Sequence, residues 1–524
     1  MGLFKKNKRK SMDGERKISI SKDIETNLKI IKETLIDCDD IVYRPITVGK
    51  TQKYNLAIIY TDGLADKELV SNFALEPLLH EAREEEPSPN RVKYNLYDLI
   101  KKANLAITEI GEVETLNEVV DKVLIGETVL LINNYEKVMV LSSRGWPMRG
   151  VNEPQIETVV RGPRDGFNET LKVNTSLIRR RIRDPKLKVK NMQLGVRSKT
   201  DVALMYIEDI VDGDILKEVN KRLKSIKIDA ILESGNIEHL IEDNRFSPFP
   251  QCQSTERPDA VAAGIYEGRV AIVVDNTPFA LMVPSTVNTL LQSPEDYYDR
   301  WLISSLIRLI RYFAMAVALL FPALYIAMTA YHPGMLPTQL AIYVAATRVT
   351  VPFPAFVEAF IMEGTIELLR EAGARLSGPI GTTIGIVGGL VIGQAAVEAG
   401  IVSPLMVIIV AVTTISSFVI PNYSFATGFR FIRFIIMALA AVLGLYGIML
   451  GLILLASHLV TLKSFGVPYT NPFTNIGRSL IDLKDSFIKI PIKDMTRRPI
   501  YTKVTDKDRK PYKESNDKDE DNDS

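Results

Sequence analysis

The chain has 524 residues, of which 46% are hydrophobic and 24% charged, and its formal net charge is +1. Only two cysteines occur, Cys38 and Cys252, which excludes a disulfide-rich scaffold, and no nucleic-acid partner is expected. These averages combine two unlike parts, because residues 1–300 hold most of the charge and residues 301–462 hold nearly all the long apolar runs. A chain of this length accommodates two or three domains.

Both ends of the chain are predicted to be disordered. Residues 1–20 form a basic arm, and residues 505–524 form a polar tail that has too little apolar surface to offset the entropy of ordering. No apolar stretch typical of a secretory signal follows the basic start. We therefore expect the large N-terminal region to lie on the cytoplasmic side.

Strand-like and helix-like segments alternate in the N-terminal region, which predicts α/β layers. The run YNLAIIYTDG favours a strand, and ETVLLINNYEKVMVLSS favours a hairpin that turns at Asn133-Asn134. The segments KELVSNFALEPLLHEAREEE and LNEVVDKVLIGE have the periodicity of amphipathic helices. A passage rich in Gly, Pro and Arg near Trp146 precedes a second set of the same kind. Roughly 300 residues exceed one core, so we expect two subdomains, 21–145 and 146–292.

An α-helical membrane domain is predicted for residues 293–462, followed by a C-terminal segment, 463–504. The 54 residues 376–429 carry a single charged side chain, Glu398, and are too apolar for the core of a water-soluble domain. About 20 apolar residues suffice to cross a bilayer. The predicted crossings are 312–331, 380–400, 404–421 and 434–457, with the proline-interrupted segment 338–375 re-entrant or interfacial.

The number of crossings stays open between four and five. Arg308 and Arg311 before the first crossing, with Lys463 after the last, favour an even number by the positive-inside rule. Arg430 and Arg433 favour five crossings and a C-terminus on the opposite side.

Two polar residues stand out within the long apolar block. Gln394 and Glu398 lie four residues apart on one helix face. A carboxylate at membrane depth typically lines a water path or pairs with a cation, which makes these two residues candidates for an ion path. The alternative is that Glu398, near the end of its helix, extends to the membrane interface.

Upstream of this block, Glu363, Glu367 and Glu371 form an acidic stripe with Arg370 and Arg375 within reach. One interpretation is a solvated helix with local salt bridges. The other is a ring of carboxylates at the mouth of a cation path, if several copies assemble around an axis.

The glycines of the apolar block are predicted to serve helix packing, because small residues four apart let membrane helices approach closely. They are Gly381, Gly385, Gly389 and Gly393. No phosphate loop, zinc-binding pair or nucleophile elbow occurs, so we expect neither an enzyme nor a cofactor or metal site.

Three passages make the chain resemble a known family. They are SPFPQCQSTERPDAVAAGIYEGRVAIVVDNTPFALMVPST, LLQSPEDYYDRW and FVEAFIMEGTIELLREAGARLSGPIGTTIGIVGGLVIGQAAVEAGIVSPLMVIIVAVTTISSFVIPNY. They resemble the A-subunit family of spore germinant receptors, the GerA type of endospore-forming bacteria, over roughly residues 25–480.

The resemblance implies a multi-pass protein of the spore inner membrane whose N-terminal region forms two α/β subdomains. It implies two partners, a transporter-like B subunit that is thought to bind the nutrient and a C-subunit lipoprotein. It also implies self-association around a central axis into a nutrient-gated cation channel that opens early in germination.

Other functions remain open at this stage. A sporulation-specific paralogue of the A subunit, associated with dipicolinate release, shares the same passages. A non-conducting scaffold for the receptor complex would use the same helices as dry packing. A transporter that works alone would favour an internal repeat in the membrane portion, and none is found there.

Overall fold

The computed structural model describes residues 17–48, 54–70, 110–145, 153–154, 157–375, 389, 391–474, 485–499, 502 and 504–509. The chain divides into two compact units. The N-terminal unit comprises Met1–Ile241, Ser254–Val283 and Ile492–Ser524, and the helical unit comprises Glu242–Gln253 and Pro284–Pro491.

The N-terminal unit contains two five-stranded sheets with helices packed on them. The first sheet has the order β1-β2-β4-β5-β3, and the second has the order β6-β7-β9-β10-β8. The strands of the first are β1 (Ile41–Val48), β2 (Tyr54–Thr61), β3 (Ile110–Val113), β4 (Thr128–Ile132) and β5 (Val138–Leu141), with helices α1 (Ile24–Thr34), α2 (Lys67–Val70) and α3 (Leu116–Ile125). The strands of the second are β6 (Leu187–Leu194), β7 (Thr200–Ile207), β8 (Gln253–Thr255), β9 (Val270–Val274) and β10 (Ala280–Val283), with helices α4 (Leu171–Arg181), α5 (Gly213–Ser225), α6 (Ser234–Ile241) and α7 (Pro258–Tyr266).

The two sheets repeat one plan. The second order reproduces the first when β6 is counted as the first strand, and the pairs β1/β2 and β6/β7 are both eight-residue antiparallel pairs. The helix before the last hairpin is followed in each sheet by a glycine in the left-handed region, Gly126 (φ 97°) and Gly268 (φ 84°). Each hairpin turns through an asparagine in the same region, Asn134 (φ 70°) and Asn276 (φ 67°).

Side-chain hydrogen bonds repeat as well. In α1, the Asn27 amide accepts a hydrogen bond from the Ser21 N–H at 2.9 Å and donates one to the Ser21 carbonyl at 2.6 Å. In α4, the Asn174 amide makes the same two bonds to Asn168, at 2.8 and 2.6 Å. The N-terminal unit is therefore built from two copies of one supersecondary arrangement.

A buried ion pair joins the two sheets of this unit. The fully buried Arg179 of α4 donates from Nε and Nη2 to the two carboxylate oxygens of Asp40, at 2.8 and 2.9 Å. Such a two-point contact fixes direction as well as distance. An isolated bridge between Cys38 and Val189 continues the contact along the backbone.

Most of the predicted strands of this region are found, and the hairpin at Asn133-Asn134 is confirmed by the pairing of β4 with β5. The helix expected from LNEVVDKVLIGE is α3, whereas most of the helix expected to follow Lys67 lies outside the described residues.

The predicted disorder of the two ends is wrong at their inner edges. Ser19 forms a bridge with Thr115, and Ile20 is buried in the first core, so residues 17–20 are part of the fold. At the other end the Thr505 N–H donates to the Ile210 carbonyl at 3.1 Å. The remaining parts of both ends lie outside the described residues.

The C-terminal segment returns to the N-terminal unit. Arg498 Nε donates to the Tyr266 carbonyl at 2.9 Å, and the Thr502 hydroxyl donates to the Glu267 carbonyl at 2.8 Å. Val504 is 3% exposed and belongs to the core of the second sheet. The described residues between 498 and 505 therefore belong to the same unit as helices α4 to α7.

The described long helices of the helical unit share a hydrophobic core. Its helices are α8 (Val287–Leu291), α9 (Trp301–Ala330), α10 (Thr338–Arg348), α11 (Ala355–Arg375), α12 (Pro404–Phe418), α13 (Tyr423–Leu443) and α14 (Leu445–Thr461). Residues 391–398 are also helical, and a short hairpin pairs β11 (Lys463–Ser464) with β12 (Val467–Pro468). Phe249, from the SPFPQ passage, packs against Phe425 and Phe429 at ring distances of 5.8 and 5.2 Å.

Among the described residues, two helices are long and apolar enough to cross a membrane, α9 and α13, and α12 and α14 are shorter apolar helices. The apolar run 434–457, predicted as one tilted crossing, is divided at Gly444. Its backbone (φ 61°, ψ −138°) is a conformation that essentially only glycine adopts, and α14 packs back along α13. A Cβ at Gly447 would lie 2.1 Å from the Leu439 carbonyl oxygen, so this close return needs glycine there too.

Candidate functional site: buried charges of the helical unit

Among the described residues of the helical unit, charged side chains are buried at three places. The first group joins Asp296 to two arginines of α9, the second joins α10 to α11, and the third joins α11 to α13. Burying a charge is costly unless it is paired. Each group therefore requires a specific arrangement of the helices that carry its residues.

The third group contains two of the glutamates predicted from the sequence. Glu363 of α11 and Arg433 of α13 are both fully buried, and their closest oxygen and nitrogen are 3.0 Å apart. One turn further along α11, Glu367 lies 2.8 Å from Arg370, 3.5 Å from Arg433 and 3.7 Å from Arg430. Glu367 is thus shared by three guanidinium groups.

The Glu363–Arg433 pair is close without being hydrogen-bonded. Neither carboxylate oxygen of Glu363 and none of the three guanidinium nitrogens of Arg433 has a hydrogen-bond partner among the described atoms. An unused buried donor or acceptor costs about 1–3 kcal/mol, and more when it is charged. The pair is matched in charge but leaves five buried polar atoms without hydrogen bonds.

The second group centres on Glu358, which is fully buried. Arg348 of α10 donates from Nε to its Oε1 at 3.2 Å, and the Ser403 N–H donates to its Oε2 at 2.8 Å. Because Ser403 is the N-cap of α12, the carboxylate also lies at the positive end of that helix. The Tyr325 hydroxyl of α9 is 3.2 Å from the Ser403 hydroxyl. Glu358 therefore ties α10, α11 and α12 together.

The other predicted ion-path residues lie on the surface of this chain. Glu371 is exposed and pairs with Arg375 at 2.6 Å. Gln394 and Glu398 are both exposed, and the Gln394 amide donates to the Glu398 carboxylate at 2.9 Å. The acidic stripe therefore divides, since Glu363 points into the core and Glu371 outward. Within the described residues, no hydrogen bond or ion pair links the stripe to Gln394 and Glu398.

The predicted packing glycines are only partly described. Gly393 faces α12, where a Cβ would lie 3.4 Å from Val407. At Gly389 a Cβ would meet nothing within 4 Å in this chain. Gly381 and Gly385 lie outside the described residues.

Sequence reasoning missed the partners of the buried glutamates. Arg430 and Arg433 were used only to judge the number of crossings, and Arg348 and Glu358 were not considered as an ion pair. A usable signal was present, because charges inside apolar helices are rare and usually pair with one another. Across the described residues, no group of three or more His, Cys, Asp or Glu side chains is placed to hold a metal ion.

Comparison with known proteins assigns the chain to a family. Residues 29–501 match the family described as Bacillus/Clostridium GerA spore germination protein. The chain belongs to this family. Its relatives include spore germination protein GerLA of Bacillus cereus, 43% identical over 91% of this chain and 95% of that protein. The uncharacterized membrane protein YfkQ of Bacillus subtilis (strain 168) is also 43% identical, over 94% of this chain and 93% of that protein.

A solved structure is also similar to part of this GerA-family chain. It is the N-terminal domain of the A subunit of the Bacillus megaterium spore germinant receptor GerK3, at 32% identity and a TM-score of 0.40, covering 52% of this chain and 98% of that one. The resemblance to the A-subunit family that the sequence indicated is thus confirmed by the family match and the relatives. The chain joins an α/β N-terminal region to a helical region, in a family of spore germination proteins.

Proposed function

We propose that this protein is the A subunit of a nutrient germinant receptor in the spore inner membrane, and that it oligomerises into a nutrient-gated cation channel. The observation that carries this proposal is the exposed pair Gln394 and Glu398 on an otherwise apolar helical surface. A carboxylate on such a surface is unfavourable against lipid and favourable against water or a cation. Copies arranged around an axis would place these carboxylates along a shared path.

The interior charges have a different role in this proposal. Glu363 is paired inside its own chain, so it holds α11 against α13 rather than lining a path between copies. Glu367 and Glu371 lie progressively closer to the surface and remain candidates for the mouth of the path. The proposed partners are a transporter-like B subunit and a lipoprotein C subunit of the same receptor.

Replacing Glu398 tests the channel. A carboxylate about 4 Å from a cation contributes roughly 1–4 kcal/mol at effective dielectric constants between 80 and 20, so Glu398→Ala is expected to slow early cation release from germinating spores roughly tenfold. Gln394→Ala is expected to have a smaller effect, because the amide only orients the carboxylate. Ion flux through purified protein in liposomes is the direct measurement.

Two control variants separate charge from fold in that experiment. Glu398→Gln keeps a hydrogen-bonding group and removes the charge, so it should behave like Glu398→Ala. Glu136→Ala removes an exposed carboxylate of the N-terminal unit, paired with Lys22 at 3.5 Å, and should leave release unchanged. Normal release from both the Glu398 and Gln394 variants, with no flux in liposomes under any nutrient, would leave the scaffold function as the better account.

The proposed membrane topology has an even number of crossings. It is supported by the C-terminal segment, because Thr502, Val504 and Thr505 belong to the N-terminal unit and therefore lie on its side of the membrane. Arg430 and Arg433, which favoured five crossings, are buried and paired with glutamates, so they are not loop charges. We place both ends on the cytoplasmic side, in accord with Lys463 after the last helix.

Cysteine labelling tests this topology. In a variant that lacks the two buried native cysteines, Val160→Cys and Lys507→Cys should react with a membrane-impermeant maleimide from the same side. Met335→Cys, exposed just after α9, should react from the opposite side. Labelling of positions 160 and 507 from opposite sides would require an odd number of crossings.

The sporulation-specific paralogue is the second candidate function. The chain is equally identical, at 43%, to a spore germination protein and to an uncharacterized membrane protein, so overall identity alone does not assign the receptor function. Loss of the nutrient response in a deletion strain would support the receptor, whereas a normal nutrient response with altered dipicolinate release would support the paralogue.

A further inference from the structure

The first three turns of α9 are polar inside and apolar outside. Arg308 and Arg311 are 1% and 7% exposed and face inward. Seven large apolar side chains face outward and are 37–71% exposed. We call this surface the outer apolar face; its residues are Leu302, Ile303, Leu306, Ile307, Leu309, Ile310 and Phe313.

The inward charges are neutralised within the chain. Asp296, which is 3% exposed, accepts from Arg311 at 2.6 and 2.8 Å and from Arg308 at 3.1 Å. Arg308 also pairs with Asp485 at 3.0 Å. The Ser305 hydroxyl accepts a hydrogen bond from the Lys489 N–H at 3.0 Å. The polar side of this segment is thus covered by the chain itself, and only the apolar side remains open.

A water-soluble helix has the reverse arrangement, with its apolar stripe on the core and its charges in solvent. We propose that the outer apolar face contacts lipid, so that the membrane-embedded part of α9 begins near Trp301 rather than at Tyr312. The occupant is the lipid of the leaflet next to the N-terminal unit, at the boundary between headgroups and acyl chains. This inference rests on the proposed membrane location of the helical unit.

Three observations favour lipid over a second copy of the chain. The outer apolar face spans an arc of about 160° at 100° per residue, wider than the stripe of about 100° that one packed helix face covers. The face runs without a break into the apolar remainder of α9. Trp301, 46% exposed, begins the helix, and tryptophan is enriched where membrane meets water.

The length of α9 is consistent with this position. Its 30 residues span about 45 Å, whereas a hydrocarbon core is about 30 Å thick, so the helix can cross the core and still place its first turns in the headgroup region.

Tryptophan depth measurements test the proposal. The chain has two tryptophans, and the full-length variant Trp146→Phe/Trp301→Phe is the background for single probes. The probes are Leu306→Trp on the outer apolar face, Ala316→Trp on the exposed middle of α9, and Val160→Trp, which is 90% exposed in the N-terminal unit. Each protein is reconstituted into phosphatidylcholine and phosphatidylglycerol vesicles whose acyl chains carry bromine at a shallow or a deep position.

The expected result is a rank order of fluorescence loss. Position 306 should lose most emission to shallow bromines, and position 316, about 15 Å further along the helix, should lose most to deep ones. Position 160 should lose none. Quenching at 316 without quenching at 306 would overturn the proposal: blue-shifted emission at 306 would then indicate a second copy on this face, and red-shifted emission would indicate water. Absence of quenching at both positions would overturn the membrane location itself.

Discussion

Asp296→Ala is expected to cause the largest loss of stability of any single substitution in the first turns of α9. Its carboxylate accepts three hydrogen bonds from Arg308 and Arg311, and all three side chains are almost completely buried. Removal of the carboxylate leaves Arg311 without its partner carboxylate, and Arg308 keeps only Asp485. Breaking a buried pair in this way costs about 3–5 kcal/mol, because a charge remains without compensation.

Thermal unfolding of the purified protein in detergent measures this loss. After heating to each temperature, size-exclusion chromatography gives the fraction of protein that has not aggregated. A domain of this size loses about 2–4 °C of Tm per kcal/mol, so we expect a decrease of roughly 10 °C. Asp485→Ala should cost less, since Asp485 is 27% exposed and Arg308 retains Asp296. Glu371→Ala, which breaks an exposed pair, is the matched control and should change Tm by less than about 2 °C.

Restoring the balance of charge is the sharper test. In the Asp296→Ala background, Arg311→Met removes the unpaired charge and keeps an apolar side chain of similar length. This second substitution should recover part of the lost stability. If Arg311→Met instead adds to the loss, the decrease comes from packing around Asp296 rather than from the ion pairs.

The α/β region was predictable because its strands are short apolar runs bounded by turn residues. The first sheet shows this at β2, β4 and β5, where the apolar runs match the observed strands. The internal repeat was not recognised, although NLAIIYTDGLAD and DVALMYIEDIVD occupy equivalent places in the two sheets. Its clearest marks are backbone conformations, such as the left-handed Asn134 and Asn276, which a hydrophobic pattern does not display.

The helical unit shows where composition is insufficient. Residues 434–457 have the length and polarity of one crossing, and a single glycine, Gly444, converts the run into two helices that pack on each other. Hydropathy averages over such a residue, whereas the backbone dihedral angles decide the direction of the chain. Span counts from the sequence therefore depended on a feature that no window of average polarity resolves.

The candidate site was predictable only as a set of residues. Spacing along one helix placed Glu363, Glu367 and Glu371 on a common face with Arg370 and Arg375 as partners, and the pairs of Glu367 and Glu371 are found. The partner of Glu363 is Arg433, which lies on another helix and 70 positions later in the sequence. Local spacing rules contain no information on such tertiary pairs.

Arg433→Met is expected to have the second large effect. It leaves Glu363 as a fully buried carboxylate without its cationic partner, and it also removes one of the cations beside Glu367. The cost of about 3–5 kcal/mol for breaking a buried pair predicts a decrease in Tm of roughly 10 °C. Glu363→Met should lower the stability by a similar amount. The loss will be smaller if Arg433 turns toward Glu367, which is 3.5 Å away.

The double variant Glu363→Met/Arg433→Met separates pairing from function. An apolar replacement of the whole pair is typically neutral or stabilising, and here it also removes five buried polar atoms that lack hydrogen bonds. Its Tm should therefore return to within a few degrees of the wild type. Nutrient-triggered cation release then decides what the pair does: recovery of release along with Tm assigns the pair to holding α11 against α13. A stable double variant that fails to release cations would assign the buried charges themselves to gating, and would contradict a purely packing role for Glu363.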